Sequence, residues 1–379
     1  EDSEIFEERL FTKSIISYTQ ENGDDLDTFF QNLFEVLNLE KRSDIPVYLT
    51  KFPYVNGGLF EEKINIPKFS KESRKLLIEI GDLDWSLINP DILGSMMQAV
   101  VSQDKRDEFG IHYTSVENIL KIIKPLFLDE LYSNLEEAHD NKKKLNLILL
   151  KIYNTRIFDP ACGSGNFLVI SFKELCKIEL EIFKKLQTID SNQWLIMKSG
   201  ISLNQFYGIE IDDYAHESAK LSLWIAQHQI NLYFKDVLGE TKATLPLTTS
   251  GNIYCENSNE IDWDKICPKD KKKITYLIGN PPYLGSTWQT KKQRFEIEKI
   301  FKGKKNYKNL DYISCWFIKG SKYIKDSNSK LAFVSTNSIT QGEQVISLWP
   351  NILDLDIEIE FAYKSFHWKN NAKAKAGVT

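Results

Sequence analysis

Apolar residues recur at helical spacing in the first part of the chain, in Leu26, Phe29, Phe30, Leu33, Phe34 and Leu37 and again in Leu76, Leu77, Ile80 and Leu83. Stripes of this period mark helices that bury one face. They assign residues 1–108 to a mostly helical region whose side chains pack and do no chemistry. Between the stripes, the segment from Pro53 to Phe60 carries a proline and a glycine pair, as structured loops do.

Beyond residue 108 short β-branched runs begin to alternate with helical stripes. Thr114-Ser115-Val116-Glu117 has the spacing of a capping box, which predicts a helix through Ile119, Leu120, Ile123 and Leu126 that Pro125 ends or kinks. Strands are predicted at Arg156 to Asp159, Phe206 to Ile211, near Asn252 to Cys255, at Ile274 to Gly279 and at Leu331 to Ser335, with Phe361 to Trp368 as a last candidate. Helices are expected from about Asn166 to Leu186, from Tyr214 to about Gln229 and across Tyr312 to Ile324. Strands alternating with helices imply a parallel sheet covered on both faces.

The chain has 379 residues, 42% hydrophobic and 27% charged, enough for a sizeable core in a large domain with a smaller companion. No apolar run reaches the roughly 20 residues of a membrane helix, and no secretory leader opens the chain. We therefore expect a cytoplasmic protein. The five cysteines form no CxxC pair and the five histidines are scattered, so neither a disulfide framework nor a protein metal is expected. The first residue is Glu1 and the last, Ala376-Gly377-Val378-Thr379, read as the opening of a strand; we expect a fragment.

Net charge is −5, yet its distribution says more. Residues 1–60 hold twelve Asp/Glu against five Lys/Arg. Residues 288–308 hold eight basic residues, Lys291, Lys292, Arg294, Lys299, Lys302, Lys304, Lys305 and Lys308, against Glu296 and Glu298. This basic stretch, expected to be mobile, implies a local surface suited to a nucleic-acid backbone, with Lys291, Lys292, Arg294, Lys304 and Lys305 as phosphate contacts.

Two segments carry chemistry. Ile157-Phe158-Asp159-Pro160-Ala161-Cys162-Gly163-Ser164-Gly165-Asn166-Phe167 is a strand, a glycine turn and a helix start, the layout by which doubly wound folds hold a nucleotide. The third glycine of the dinucleotide fingerprint is missing, and Asp159 would repel a pyrophosphate; an amino-acid zwitterion joined to a ribose fits better. Glu210, ending the next strand ahead of Ile211, is suited to accept from ribose hydroxyls. Asp159 and Glu210 are 51 positions apart against the generic roughly 20, so a long helix and an insertion must intervene.

The second segment is Asn280-Pro281-Pro282-Tyr283, delivered by the strand that ends at Gly279. An aromatic amine is a poor nucleophile because its lone pair is delocalised. The Asn280 side-chain oxygen and the Pro281 carbonyl can hold its two protons, and two prolines fix those acceptors in advance. Tyr283 would stack on a base extruded from a duplex. Phe366 is a candidate second plate, with Trp368 as its neighbour and competitor.

With these motifs in this order, the chain resembles the gamma-type amino-methylating DNA methyltransferases. Gly110-Ile111-His112-Tyr113-Thr114-Ser115 resembles the segment that closes over the cofactor's methionine end in that family. More narrowly, Tyr54 to Phe60, Asp84-Trp85 to Pro90, His112-Tyr113-Thr114 and Ser365-Phe366-His367-Trp368 resemble the MmeI-like single-chain restriction and modification enzymes, over nearly the whole chain.

The resemblance implies a class I methyltransferase, Rossmann-like, doubly wound and mostly parallel α/β sheet behind a mostly helical domain. Residues 109–379 would form the catalytic domain, truncated at its C-terminus. It implies S-adenosyl-L-methionine as donor and adenine in double-stranded DNA as acceptor, with bacterial or archaeal, DNA-associated use. Cofactor contacts would come from Tyr113, Thr114, Asp159, Ala161, Gly163, Gly165, Asn166, Phe167, Glu210, Ile211 and Asn257. Nuclease and target-recognition domains, which flank such regions in the family, are absent from this stretch. Competing readings are a protein glutamine methyltransferase, an RNA methyltransferase and a non-catalytic nucleic-acid-binding scaffold. A ring-carbon cytosine methyltransferase needs a Pro-Cys nucleophile, whereas Cys267-Pro268 runs in reverse.

Overall fold

The computed structural model describes residues 7–55, 60, 64–83, 88–89, 92, 114–189, 199–239 and 251–364. The chain divides into two compact units, Glu1–Asn89 with Ala243–Thr249, and Pro90–Lys242 with Ser250–Thr379.

The first unit is built on helices α1 (Leu10–Tyr18), α2 (Leu26–Asn38) and α3 (Lys71–Gly81). The α2 stripe forms its core, with Leu26, Phe29, Leu33 and Val36 buried beside Ile15 and Leu49. Arg74 of α3 reaches the end of α1, donating to the Ile15 carbonyl at 3.1 Å and to Thr19 Oγ1 at 2.9 Å. The second stripe behaves differently from its spacing. Leu77 packs against the core, whereas Leu76, Ile80 and Leu83 are exposed, because α3 touches the cluster along one narrow edge.

From residue 114 the second unit contains α4 (Val116–Ile123), a π-helical turn at Lys124–Leu128, α5 (Asp129–Ala138) and α6 (Lys142–Tyr153). Pro125 cannot donate to the helical ladder, and the π turn absorbs the break without ending the helical path. The expected capping box does not form. Ser115 holds the N-cap position without a side-chain cap bond, and Thr114 is used elsewhere, as described below.

From there the strands and helices alternate: β1 (Thr155–Asp159), α7 (Asn166–Ile189), β2 (Phe206–Glu210), α8 (Asp213–Leu238), β3 (Asn252–Cys255), the short α9 (Trp263–Ile266), β4 (Ile274–Gly279), α10 (Lys291–Ile300), α11 (Ser314–Ile324), β5 (Lys330–Phe333) and α12 (Gly342–Leu353). The described strands form one parallel sheet in the order β3-β2-β1-β4-β5. The path runs outward from β1 to β3 and then returns to β4 on the other side of β1. The switch point therefore lies between β1 and β4, where doubly wound sheets open a crevice at the strands' carboxyl ends.

Both faces are covered. Phe158 and Leu277, register partners on β1 and β4, enter a cluster with Trp263, Ile313, Trp316 and Leu348. The preceding partners, Ile157 and Tyr276, point to the opposite face, where Tyr276 stacks on Phe127 with ring centroids 4.8 Å apart. Burial on both sides explains why these strands are near-continuous apolar runs.

Two further expectations change. Lys291–Ile300 is an ordered helix, opened by a reciprocal capping box between Thr290 and Gln293. Residues 361–364 are not in a strand, and the rest of the candidate strand to Trp368 lies outside the described residues. Among the described residues no helix is long and apolar enough to cross a membrane.

Candidate active site

Two loops meet at the switch point. At the end of β1, Asp159 is buried and its Oδ1 accepts from the Ala161 amide at 3.0 Å, which folds the chain back on itself. The Cys162 amide pairs with the Ile209 carbonyl at 3.0 Å, tying the turn to β2. Gly163 and Gly165 have φ of 53° and 82°. A Cβ on Gly165 would lie 3.1 Å from that of Ala219, so α8 crosses too closely for a side chain. A Cβ on Gly163 would meet nothing within 4 Å, which leaves open space above the turn.

The Glu210 carboxylate closes the turn from β2. Its Oε2 accepts from the Gly163 amide at 2.8 Å, and its Oε1 from the amides of Ile211 and Asp212 at 2.9 and 3.0 Å. About four acceptor positions exist on a carboxylate, so these bonds leave room for one further donor. Glu210 thus shapes the turn as well as facing the crevice, and accepting both hydroxyls of a ribose would require one amide to give way. Ile211 is exposed at the strand tip.

On β4, Gly279 adopts φ 154°, and a Cβ there would lie 2.5 Å from Asp159 Oδ1. Gly279, which leads into the Asn280 turn, is therefore packed directly against the Asp159 side chain. Pro281 is buried and Pro282 half-buried. Asn280 Nδ2 donates to Thr114 Oγ1 at 3.4 Å, and the Thr114 carbonyl accepts from Asn166 Nδ2 at 3.5 Å. Thr114, itself buried, bridges the two loops, and Ser164 Oγ supports Asn166 Oδ1 at 3.3 Å.

Two acceptors in this crevice are buried without a hydrogen-bond partner, Asn280 Oδ1 and Asp159 Oδ2. Buried oxygens of this kind are costly unless a ligand satisfies them. Burial, reinforced by the Glu210 charge and opposed by the Ala161 amide, pushes the Asp159 carboxyl up to about 8. Burial raises Glu210 as well, against three backbone amides that stabilise its charge. No salt bridge to either acid is found among the described residues, so a ligand's ammonium group beside Asp159 would relieve the burial of charge there.

Tyr283 is half-buried against the apolar cluster, and burial with the neighbouring Asp311 pushes its phenol up to about 12, so it stays neutral. Asp311 and Gln289, which carried no signal of their own in the sequence, hold the segment behind it. Asp311 Oδ1 accepts from the Leu284 amide at 2.9 Å, and Gln289 Nε2 donates to the carbonyls of Leu284 and Leu310, each at 2.9 Å.

Other assigned residues take less direct positions. Phe167 is buried, and the amide of Ala161 is already given to Asp159. Asn257 Nδ2 donates to Glu296 Oε1 at 2.8 Å and its Oδ1 accepts from the Asn259 amide at 2.9 Å. Glu296 also accepts from Asn259 Nδ2 at 3.2 Å and from the Tyr312 hydroxyl, so this buried acid anchors α10 from below. In the sequence it is one of two acids, with Glu298, in a basic run; the adjacent Ile297 and the Phe301 that follows are the signal for a buried face. The eight basic residues of 288–308 are all exposed. Tyr113, Phe366, Trp368 and the Tyr54-to-Phe60 glycines lie outside the described residues.

Asp213, His216 and Cys255 bring one donor atom each within 4.8 Å, a grouping that linear spacing hides. His216 Nε2 already pairs with the Ile253 carbonyl at 3.2 Å, and the other two residues are exposed.

Comparison with known proteins gives a consistent picture. The family model for the MmeI DNA-methyltransferase domain matches residues 135–379, and that for the MmeI helicase spacer domain matches residues 1–60. DNA methyltransferase A of Bacillus subtilis (strain 168) is 51% identical over 380 residues, covering 100% of this chain and 43% of that protein. A putative type II restriction enzyme and methyltransferase of Methanocaldococcus jannaschii is 30% identical over 333 residues, covering 74% of this chain and 27% of its own length. Among solved structures, the type IIL restriction-modification enzyme MmeI in complex with DNA superposes with a TM-score of 0.92 at 41% identity, over 100% of this chain and 51% of that one. The chain thus spans about half, or less, of the length of these relatives.

Proposed function

The chain belongs to the MmeI DNA-methyltransferase family, and on that premise we propose that it transfers a methyl group from S-adenosyl-L-methionine to the exocyclic N6 amine of an adenine flipped out of double-stranded DNA. The observation that carries this reading is the buried, unpartnered Asn280 Oδ1 at the switch point, next to Gly279, which packs against Asp159. It is an acceptor held in advance for a donor that the fold itself does not supply.

The crevice fits the cofactor. Asp159 Oδ2 is a buried, unpartnered carboxyl oxygen that the cofactor's ammonium group would ionise and satisfy, the open space above Gly163 would admit the cofactor close to the backbone, and Glu210 keeps one acceptor position for a ribose hydroxyl. When bound, the cofactor supplies an electrophilic methyl group. Asn280 Oδ1 accepts one proton of the target amine and the Pro281 carbonyl the other, which turns the nitrogen lone pair out of conjugation. Methyl transfer from the bound donor would place positive charge on the amine nitrogen. The two oxygens stabilise that charge with little reorganisation, and the surplus proton leaves to water afterwards. Tyr283 stacks on the extruded base and Thr114 keeps Asn280 aligned.

On this reading residues 1–108 serve as the spacer and residues 109–379 as the catalytic domain. Lys291, Lys292, Arg294, Lys304 and Lys305 contact DNA phosphates, and the protein acts as the modification part of a restriction-modification enzyme in a bacterial or archaeal cytoplasm. Basic groups used this way give affinity that falls steeply with salt and depends little on sequence. The deciding experiment incubates the full-length protein with DNA and S-adenosyl-L-methionine, digests the DNA to nucleosides and applies mass spectrometry. N6-methyladenine is expected; N4-methylcytosine, or methyl transfer to RNA or protein alone, would replace the proposal.

A further inference from the structure

Trp288 is the most exposed aromatic residue among those described, with 79% of its surface open, and Phe295 follows at 65%. Both fall within the basic stretch directly behind the catalytic turn, among Lys291, Lys292, Arg294 and Lys299. An exposed aromatic ring is suited to stack on a nucleobase, and the surrounding cations select a polyanion as its partner.

The backbone under Trp288 is held firmly. The Trp288 amide closes a turn on the Gly285 carbonyl at 2.9 Å, and Arg294 Nη2 donates to the Ser286 carbonyl at 3.3 Å. The adjoining Gln289 is buried, with its amide on the carbonyls of Leu284 and Leu310, and Thr290 caps α10. Leu284, the other end of this clamp, follows Tyr283 directly and accepts from the Tyr312 amide at 3.0 Å. The fold thus spends several hydrogen bonds on presenting an indole to solvent, five residues beyond the base-stacking tyrosine.

We infer that Trp288 is a duplex wedge: its indole enters the base stack at the step beside the target and occupies the space vacated when the target base turns out. Apolar side chains inserted at base steps unstack them and favour bent or opened duplexes, and aromatic stacking on a base is sequence-tolerant. This inference rests on the DNA-methyltransferase reading above and adds a residue to its base-flipping step. Phosphate contacts from the lysines bring the duplex to this surface, whereas Trp288 acts on the opening of one pair.

The test uses the full-length protein. Sequencing of DNA methylated by the wild type locates its site, and duplexes are made with that site either fully paired or mismatched at the target. On the paired duplex Trp288→Ala is expected to lower kcat by about tenfold or more and to reduce the fluorescence rise of 2-aminopurine at the target. The salt slope of DNA binding and the affinity for S-adenosyl-L-methionine should stay as in the wild type. On the mismatched duplex, where opening is already favoured, the loss should largely disappear, and Trp288→Phe should retain most activity on both. Unchanged kcat on the paired duplex, or an equal loss on both duplexes, would overturn the wedge. Absence of any methylation by the wild type would instead overturn the proposed function, and this inference with it.

Discussion

Replacing Asn280 by alanine should separate function from stability. The Asn280 Oδ1 atom is buried without a partner, and such an atom costs about 1–3 kcal/mol of folding free energy. Its only described bond, Nδ2 to Thr114 Oγ1 at 3.4 Å, is long and contributes about 0.5 kcal/mol or less. Truncation also leaves a small void, costing on the order of 1 kcal/mol. The three terms leave Asn280→Ala between about 0.5 kcal/mol less and about 2 kcal/mol more stable than the wild type. Transfer behaves oppositely, since loss of one preorganised hydrogen-bonding group at a developing charge lowers the rate about 10²- to 10³-fold. Urea denaturation without ligand, calorimetric titration with S-adenosyl-L-methionine and single-turnover methylation give the three readouts. Near-wild-type turnover would refute the acceptor role. A loss of more than about 2 kcal/mol would show that Asn280 is a structural cap and that its oxygen is satisfied within the fold.

Other consequences follow from the same geometry. Because burial raises Asp159 to about 8, the ligand-free folded state holds a proton there that the unfolded chain releases near pH 4, so this group's contribution to stability falls as pH rises from about 4 to 8. A cationic ligand favours the ionised form, so affinity for S-adenosyl-L-methionine should climb between pH 6 and about 8 and then flatten; Asp159→Asn should remove that rise, as titration calorimetry across pH can check. Gly279→Ala would force a Cβ to within 2.5 Å of Asp159 Oδ1 at φ 154° and should abolish cofactor binding in the same calorimetric assay, whereas Gly163→Ala, with open space at its Cβ, should weaken it less. Glu296→Ala strands Asn257, Asn259 and Tyr312 and should cost about 3 kcal/mol or more, read as a lowered urea midpoint; an unchanged midpoint would show that α10 is held by its apolar face alone.

Much of this protein was legible in its residues because the signals are local. The apolar runs of β1, β2 and β4 and the glycines at 163 and 165 are dictated by period and by backbone sterics, so the parallel sheet and its ligand loop could be read directly. The stripe at Leu76 to Leu83 misled, since a helical period states that one face is apolar but not how much of it another element will cover. Thr114 misled for a related reason: its spacing to Glu117 suits a cap, but its hydroxyl is recruited by Asn280, a residue 166 positions away.

The sequence by itself determined the positions of strands β1 to β5, the Asp159 loop and the Asn280 turn, since these depend on neighbours along the chain. Only the tertiary structure decided that β4 lies beside β1, which brings Gly279 against Asp159 and leaves Asn280 Oδ1 buried and unsatisfied. It also decided that Glu296 is an internal acid under a basic helix and that Trp288 is held out to solvent. The physical reason is that burial and hydrogen-bond satisfaction are properties of atoms brought together from distant positions, and no periodicity within a segment encodes which distant atom will arrive.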